Sequence, residues 1–139
     1  MASENSNETR HWSFPSSSDT ASQVVQEIFA MLEALEWSGH DLFAVHLAID
    51  EAIVNAVRHG NKFDTEKIVE VSVEISPRSF FIEVIDEGLG FNPADVPDPT
   101  ADENLDKPSG RGVMLMKSFM TEVDYLGRGN HLRMRKVRG

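Results

Sequence analysis

The stretch from Leu42 to Gly60 constrains this chain more than any other, because it carries an apolar and a polar stripe on one predicted helix. The polar stripe consists of Glu51, Asn55 and His59, which are four residues apart and therefore share one face. Gly60 is expected to end the helix, since glycine adopts the left-handed C-terminal conformation without steric cost. The apolar stripe recurs at three- and four-residue steps and consists of Leu42, Val45, Ile49, Ala52, Ile53 and Ala56.

The polar stripe has a chemical and a structural interpretation. Glu51 can act as a general base on a hydroxyl or a water molecule. The amide oxygen of Asn55 can be one ligand of magnesium, while water and phosphate oxygens complete the octahedron. Alternatively, both side chains lie on an exposed face, and the helix alone does not decide between these interpretations. Taken alone, His59 is better explained as a packing residue at the helix end, and Arg58 as a solvent-facing residue.

Length and composition restrict the class of protein. A chain of 139 residues predicts one domain, at 10–139, after a polar and disordered N-terminus at 1–9. The net charge of -10 argues against nucleic acid as a partner, because phosphate backbones bind basic surfaces. The absence of cysteine excludes disulfides and thiolate zinc sites. No segment is typical of a signal peptide or a membrane span, so we expect a cytoplasmic protein without membrane contact.

The order of the predicted elements indicates the fold class. Helices, strands, a loop with a short helix and two final strands predict an α+β fold, a two-layer sandwich of a mainly antiparallel mixed sheet with helices on one face. The 18 residues from 92 to 109 contain four prolines, which is typical of a functional lid or a disordered segment. The elements are a strand at 10–14, a helix capped within 16–19 and ending near 36, a helix at 41–59, strands at 69–75 and 80–85, a helix at 113–120, and strands at 122–126 and 131–137.

Asp86 stands where an apolar strand gives way to glycines. Its structural interpretation is a turn or cap residue, as is usual for Asp before Gly, and the motif alone favours this. Its functional interpretation is an acceptor for the exocyclic amine of adenine, because the carbonyl of guanine would face the carboxylate lone pair to lone pair. Gly88 and Gly90 would then let the backbone approach the base and the ribose closely.

A second glycine motif, Gly110-Arg111-Gly112, precedes the short predicted helix. Its backbone amides and the helix dipole favour an anion at that end. Lys107 and Arg111 could fold onto phosphate groups or could simply be solvated, and the two alternatives carry equal weight. Many loops contain two glycines, so this motif alone is weak.

In combination and in this order, the motifs resemble those of a known ATPase superfamily. Glu-x-x-x-Asn-Ala-x-x-His-Gly at 51–60, Asp-x-Gly-x-Gly-Phe at 86–91 and Gly-x-Gly at 110–112 look like its successive boxes. This is the GHKL or Bergerat-fold superfamily, which histidine kinases share with type II topoisomerases, large heat-shock chaperones and mismatch-repair ATPases. Within it, the chain is similar to the stand-alone anti-sigma factor serine/threonine-protein kinases of bacteria. The resemblance extends from Trp12 to Val137.

The resemblance implies ATP and Mg²⁺ as cofactors and assigns roles to positions. Glu51 would be the catalytic base, Asn55 the magnesium ligand, and 92–109 the ATP lid. Two positions depart from the family pattern: Asn130 stands where Thr is frequent, and Pro108 where a basic residue is frequent. The positions implied to contact the nucleotide are Asn55, Arg58, His59, Asp86, Gly88, Gly90, Lys107, Ser109, Gly110, Arg111, Gly112 and Val113.

The resemblance also implies a function and partners. A kinase of this kind would bind a sigma factor and phosphorylate a serine of an antagonist (anti-anti-sigma) protein, with Glu51 deprotonating that serine. A homodimer is expected from the family. An alternative is a nucleotide-dependent binding module with little or no catalysis. A histidine-kinase catalytic domain is disfavoured by Glu51, because histidine kinases commonly carry Asn at that position.

Overall fold

The computed structural model describes residues 7–61, 64–88, 110–126 and 130–139, with the backbone alone at 59–60 and 110–113. The described residues form two layers, a β-sheet and a layer of helices. The elements are β1 (Glu8–Pro15), α1 (Ser18–Ala34), α2 (Gly39–Val54), a π-helical segment (Asn55–Gly60), β2 (Ile68–Ile75), β3 (Ser79–Ile85), α3 (Gly110–Phe119), β4 (Glu122–Leu126) and β5 (His131–Val137).

The five strands form one sheet in the order β1-β2-β3-β5-β4. All four ladders between the described strands are antiparallel, so no parallel pair gives this sheet the mixed character that was expected. The helices cover one face, because alternate residues of the central strands are buried while Glu70 and Glu74 are exposed. The predicted α+β fold is confirmed. The buried strand residues include Val69, Val71, Val73, Ile75, Phe80, Ile82, Val84, Leu132 and Met134.

Helix α1 begins at a serine cap and ends earlier than predicted. The Ser17 Oγ accepts a hydrogen bond from the Thr20 amide at 3.3 Å, which satisfies one of the free amides of the first turn. The helix ends at Ala34 and not near 36, because Glu36 takes the left-handed conformation, with φ 64°. The next residue, Trp37, is buried, and its Nε1 donates to the Ser76 carbonyl oxygen at 2.8 Å.

The C-terminal end of the organising helix differs from the prediction. Helix α2 stops at Val54, and the last six residues, Asn55–Gly60, form a π-helical segment. The Asn61 amide closes it by donating to the Ala56 carbonyl oxygen at 2.9 Å. The helical run therefore ends at Gly60, as predicted, but its last turn is π-helical, and Asn61 after it keeps a right-handed conformation with φ -87°. A π-helical turn inside a long helix is frequently found at functional sites.

Other boundaries shift by a few residues. Helix α3 starts at Gly110, so the Gly110–Gly112 motif forms its first turn and does not precede it. Strand β1 includes Glu8 and Thr9, which were assigned to a disordered N-terminus at 1–9. Residues 1–6 and the predicted lid at 92–109 lie outside the described residues. Among the described helices, none has the length and apolar character needed to cross a membrane.

We expect Ile53→Ala to lower the free energy of unfolding by about 2–5 kcal/mol, because the substitution leaves a cavity under α2. Ile53 is 1% exposed, whereas its neighbour Val54 is 48% exposed and provides a matched control. Val54→Ala should change stability by no more than about 0.5 kcal/mol. Urea unfolding, monitored by circular dichroism, measures the free energy of unfolding of both variants. Equal losses would contradict the burial of Ile53 under the sheet-facing side of α2.

Candidate functional site

Asn55 is half-buried at the point where α2 becomes π-helical. Its Nδ2 is shielded from solvent and has no hydrogen-bond partner within the residues that the structure describes. A buried polar atom without a partner costs about 1–3 kcal/mol, which a bound ligand or water would recover. Rotation of the amide by 180° exchanges Nδ2 and Oδ1, so an oxygen ligand can take the same position. Asn55 therefore offers a polar atom that suits a magnesium ion or its water, and its role as a magnesium ligand stays a prediction.

Glu51 lies one helical turn before Asn55, is half-buried, and is near enough to Tyr125 of strand β4 for its charge to act on the Tyr125 hydroxyl. Burial raises the pKa of the Tyr125 hydroxyl well above its ordinary value, and the Glu51 carboxylate raises it further. Tyr125 is therefore protonated and neutral at physiological pH. The half-buried position of Glu51 excludes the alternative of a fully exposed helix face for this residue.

Asp86 follows β3 and starts a tight turn. Its Oδ1 accepts a hydrogen bond from the Gly88 amide at 2.7 Å, which is the turn interpretation of this residue. Asn130 holds its backbone on the β5 side, because the Asp86 amide donates to the Asn130 carbonyl and the Asn130 Nδ2 donates to the Asp86 carbonyl, both at 3.0 Å. A carboxylate has two oxygens with about four acceptor positions, so the turn does not exclude a nucleobase contact.

Asn61 connects the end of the helix to this turn. Its Oδ1 accepts a hydrogen bond from the Glu87 amide at 2.8 Å. Its Nδ2 donates to the Ser16 Oγ at 2.6 Å and to the Ile68 carbonyl oxygen at 3.1 Å. Asn61 is six positions after Asn55, which is at most about 9 Å along a helix. The helix end and the turn after β3 are therefore neighbours.

The remaining predicted positions are described unevenly. Arg58 is exposed and lines a groove of about 500 Å³ between α1 and α2, together with Asp50. Burial raises the pKa of Asp50, and the charge of His46 partly offsets this rise.

Helix α2 packs against α3, which brings the backbone of Gly110 and Gly112 to the same layer. The side chains of His59, Arg111 and Val113, and all of Gly90, Lys107 and Ser109, lie outside the described residues.

No group of three or more histidine, aspartate or glutamate side chains in the described part of the chain is arranged to hold a metal ion by itself. A magnesium ion at Asn55 would therefore rely on oxygens from a bound phosphate and from water. This donor set is the one that magnesium prefers in phosphate-binding sites, because magnesium gives up its water reluctantly. The residues present fit the ion in that form.

A comparison with protein families agrees with this geometry. Residues 14–136 match the family described as the histidine kinase-like ATPase domain. The chain belongs to this family. The match includes the Glu51–Asn55 stripe, the Asp86 turn and the first turn of α3. Membership makes the chain a kinase-like ATPase domain and implies that it binds a nucleotide.

Relatives similar over most of their length carry the name anti-sigma F factor. The protein of Geobacillus stearothermophilus is 31% identical over 116 residues, which cover 81% of this chain and 79% of the relative. The protein of Bacillus cereus (strain G9842) is 30% identical over 102 residues, which cover 71% of this chain and 69% of the relative.

A solved structure shares the fold. It is the crystal structure of the RsbU and RsbW domains of Rv1364c from Mycobacterium tuberculosis, with a TM-score of 0.63 and 16% sequence identity. The similar region covers 94% of this chain and 32% of that longer chain. At this identity the likeness concerns the fold alone.

Sequence reasoning did not single out Asn61 or Tyr125. An asparagine directly after a helix is common as a cap, so nothing in the sequence shows that Asn61 is buried and bonded to three segments. Tyr125 reads as one residue of an alternating strand, and only strand order places it near Glu51. Asn130 was noted as a departure from the family pattern, and the structure shows that its side chain holds the Asp86 backbone.

We expect Asp86→Asn to weaken ATP binding by about 1.5–3 kcal/mol, the range for a hydrogen bond to a charged group. The substitution keeps an Oδ1 acceptor for the Gly88 amide, so the turn and the thermal stability should be preserved. Isothermal titration calorimetry measures the affinity and a thermal melt provides the control. Native affinity in the variant would remove Asp86 from the site.

Proposed function

We propose that this protein is an ATP-dependent protein-serine kinase that acts as an anti-sigma factor. It binds a sigma factor and phosphorylates a serine of an antagonist protein, so that the sigma factor is held or released according to the partner available. Family membership and the relatives named anti-sigma F factor support this proposal. The observation that carries it is the attachment of the helix bearing Glu51 and Asn55 to the Asp86–Gly88 turn.

The nucleotide would span the distance between the Asp86 turn and the helix end. Asp86 would accept a hydrogen bond from the adenine amine, which selects adenine over guanine. Asn55 would hold Mg²⁺, and its unpartnered amide atom supports that role. A bound Mg²⁺ would neutralise charge on the phosphate oxygens. The first turn of α3, at Gly110, offers backbone amides and a helix dipole to the same phosphates.

Glu51 would supply the base for phosphoryl transfer. The serine oxygen of the acceptor protein attacks the γ-phosphorus, and its proton passes to the Glu51 carboxylate. The bond between the γ-phosphorus and the bridging oxygen then breaks, and ADP leaves. Because Tyr125 is neutral, it adds no negative charge next to this carboxylate. A carboxylate base suits a hydroxyl nucleophile, which agrees with serine as the acceptor.

The protein works in the cytoplasm as a homodimer, with a sigma factor and an anti-anti-sigma protein as partners and without nucleic acid or membrane. The partners compete for overlapping surface, and the bound nucleotide biases the outcome. The side chains and backbone proposed to contact the nucleotide besides those named above are Arg58, His59, Gly88, Gly90, Lys107, Ser109, Arg111, Gly112 and Val113.

We expect Glu51→Ala to keep ATP affinity but to lower transfer to the antagonist by about 10²–10⁴-fold, since the general base is lost. Glu70→Ala, which removes an exposed carboxylate on the open face of the sheet, is the matched control and should transfer at the native rate. Calorimetry and a radiolabelled-phosphate assay measure the two quantities. Unchanged transfer in Glu51→Ala would refute its role as base.

The native protein should retain different partners in a pull-down with and without ATP. We expect an antagonist protein to be recovered with phosphate on one serine after incubation with ATP and Mg²⁺, as located by mass spectrometry. Nucleotide-dependent capture without any phosphoserine would instead identify a binding module without catalysis. Capture that does not respond to ATP would contradict both functions.

A further inference from the structure

Among the described residues near the proposed site, Asn61 has the most completely bonded polar side chain. It is 1% exposed, both of its Nδ2 hydrogens are used, and its Oδ1 accepts one bond. Its backbone amide also closes the π-helical segment on Ala56. A polar group this deeply buried costs stability unless it is satisfied, and here all of its donors are paired.

The partners of Asn61 come from separate parts of the fold. Ser16 precedes the cap of α1, Ile68 starts β2, and Glu87 lies in the turn that follows β3. The carboxylate of Glu87 in turn accepts a hydrogen bond from the Ile68 amide. The amide of Asn61 is therefore the point at which the helix end, the sheet and the turn are joined.

The turn is held from two sides, but the two sides are not equivalent. Asn130 holds Asp86 from strand β5, which is part of the sheet that carries the turn. Asn61 holds Glu87 from the helix layer. Of these two asparagines, only Asn61 fixes the turn relative to the helix that carries Asn55.

We infer that Asn61 is a positioning residue that sets the separation between the Asp86–Gly88 turn and the helix bearing Glu51 and Asn55. This inference rests on the proposed nucleotide site and extends it to a residue that need not touch the nucleotide. The affinity of a ligand that reaches both ends is sensitive to this separation, because a change in it weakens the contacts at one end when the other end is in place. The affinity of a ligand that contacts only the turn is not.

Asn61→Ala tests the inference by comparing two ligands. ATP with Mg²⁺ would span both ends of the site, whereas adenosine would reach only the Asp86 turn. We expect the Kd for ATP to rise about tenfold and the Kd for adenosine to change less than twofold. Calorimetry measures the first and a chemical-shift titration at millimolar ligand measures the second, both at a temperature well below the melting point of the variant.

Two further variants separate positioning from simple loss of stability. Ser16→Ala removes one acceptor of the same buried network but leaves the bond between Asn61 and Glu87, so it should lower the melting temperature without changing either Kd. Asn61→Gln keeps an amide but lengthens the side chain by one carbon, about 1.5 Å. It should weaken ATP and not adenosine, and it provides the test if Asn61→Ala does not fold.

Several outcomes would overturn the inference. Equal weakening of ATP binding and adenosine binding would mean that Asn61 only shapes the turn. Native ATP affinity in both Asn61 variants would show that Asn61 does not position the site. If Ser16→Ala loses as much ATP affinity as Asn61→Ala, the weaker binding comes from lower stability of the buried network and not from positioning. Failure of the kinase proposal is distinguishable, because the inference needs ATP binding by the native protein but no phosphoryl transfer.

Discussion

Burial of one face of α2 against the sheet is the constraint on which the candidate site depends. Ile49 and Ile53 are almost completely shielded from solvent, and exposing either would cost about 1.5–3 kcal/mol. The helix therefore cannot rotate about its axis. Because Glu51 and Asn55 are adjacent to the apolar stripe on the same helix, this fixed rotation leaves both side chains half-buried beside it. Their chemistry follows from a packing requirement.

The same requirement creates a problem at the helix end, where backbone and side-chain polar groups enter the interior. The π-helical segment and Asn61 satisfy these groups. The backbone amide of Asn61 bonds to Ala56, and its side-chain amide bonds to Ser16, Ile68 and Glu87. A satisfied buried network of this kind specifies one arrangement, because each alternative leaves a group without a partner. The arrangement it specifies brings the Asp86 turn next to the helix end.

Asn130, the residue just before β5, contacts the turn that follows β3. Its backbone and side chain form two hydrogen bonds with the backbone of Asp86, so the turn is held on the sheet side. Asparagine also suits the turn residue that precedes β5, because its short amide bonds readily to nearby backbone groups.

The sequence predicted the α+β class, the strands and the polar stripe, because each depends on periodicity within one segment. Boundaries were less predictable: Glu36 ends α1 in a left-handed conformation, and α2 changes to a π-helix at Asn55. The end of α1 and the change in α2 both depend on hydrogen bonds to distant groups, which the apolar periodicity of a helix does not reveal. Resemblance to a family added the roles of Glu51, Asn55 and Asp86, which spacing alone left open.

By itself, the sequence determined which residues are apolar on which face, and hence that helices cover one side of a sheet. Only the tertiary structure decided that Asn61 is buried and bonded to three other segments, and that Glu51 lies near Tyr125. The physical reason is that the buried face of a helix or strand follows from the spacing of apolar residues within one segment. The hydrogen bonds of Asn61 join residues 26 and 45 positions apart, so they depend on how strands and helices are arranged in space.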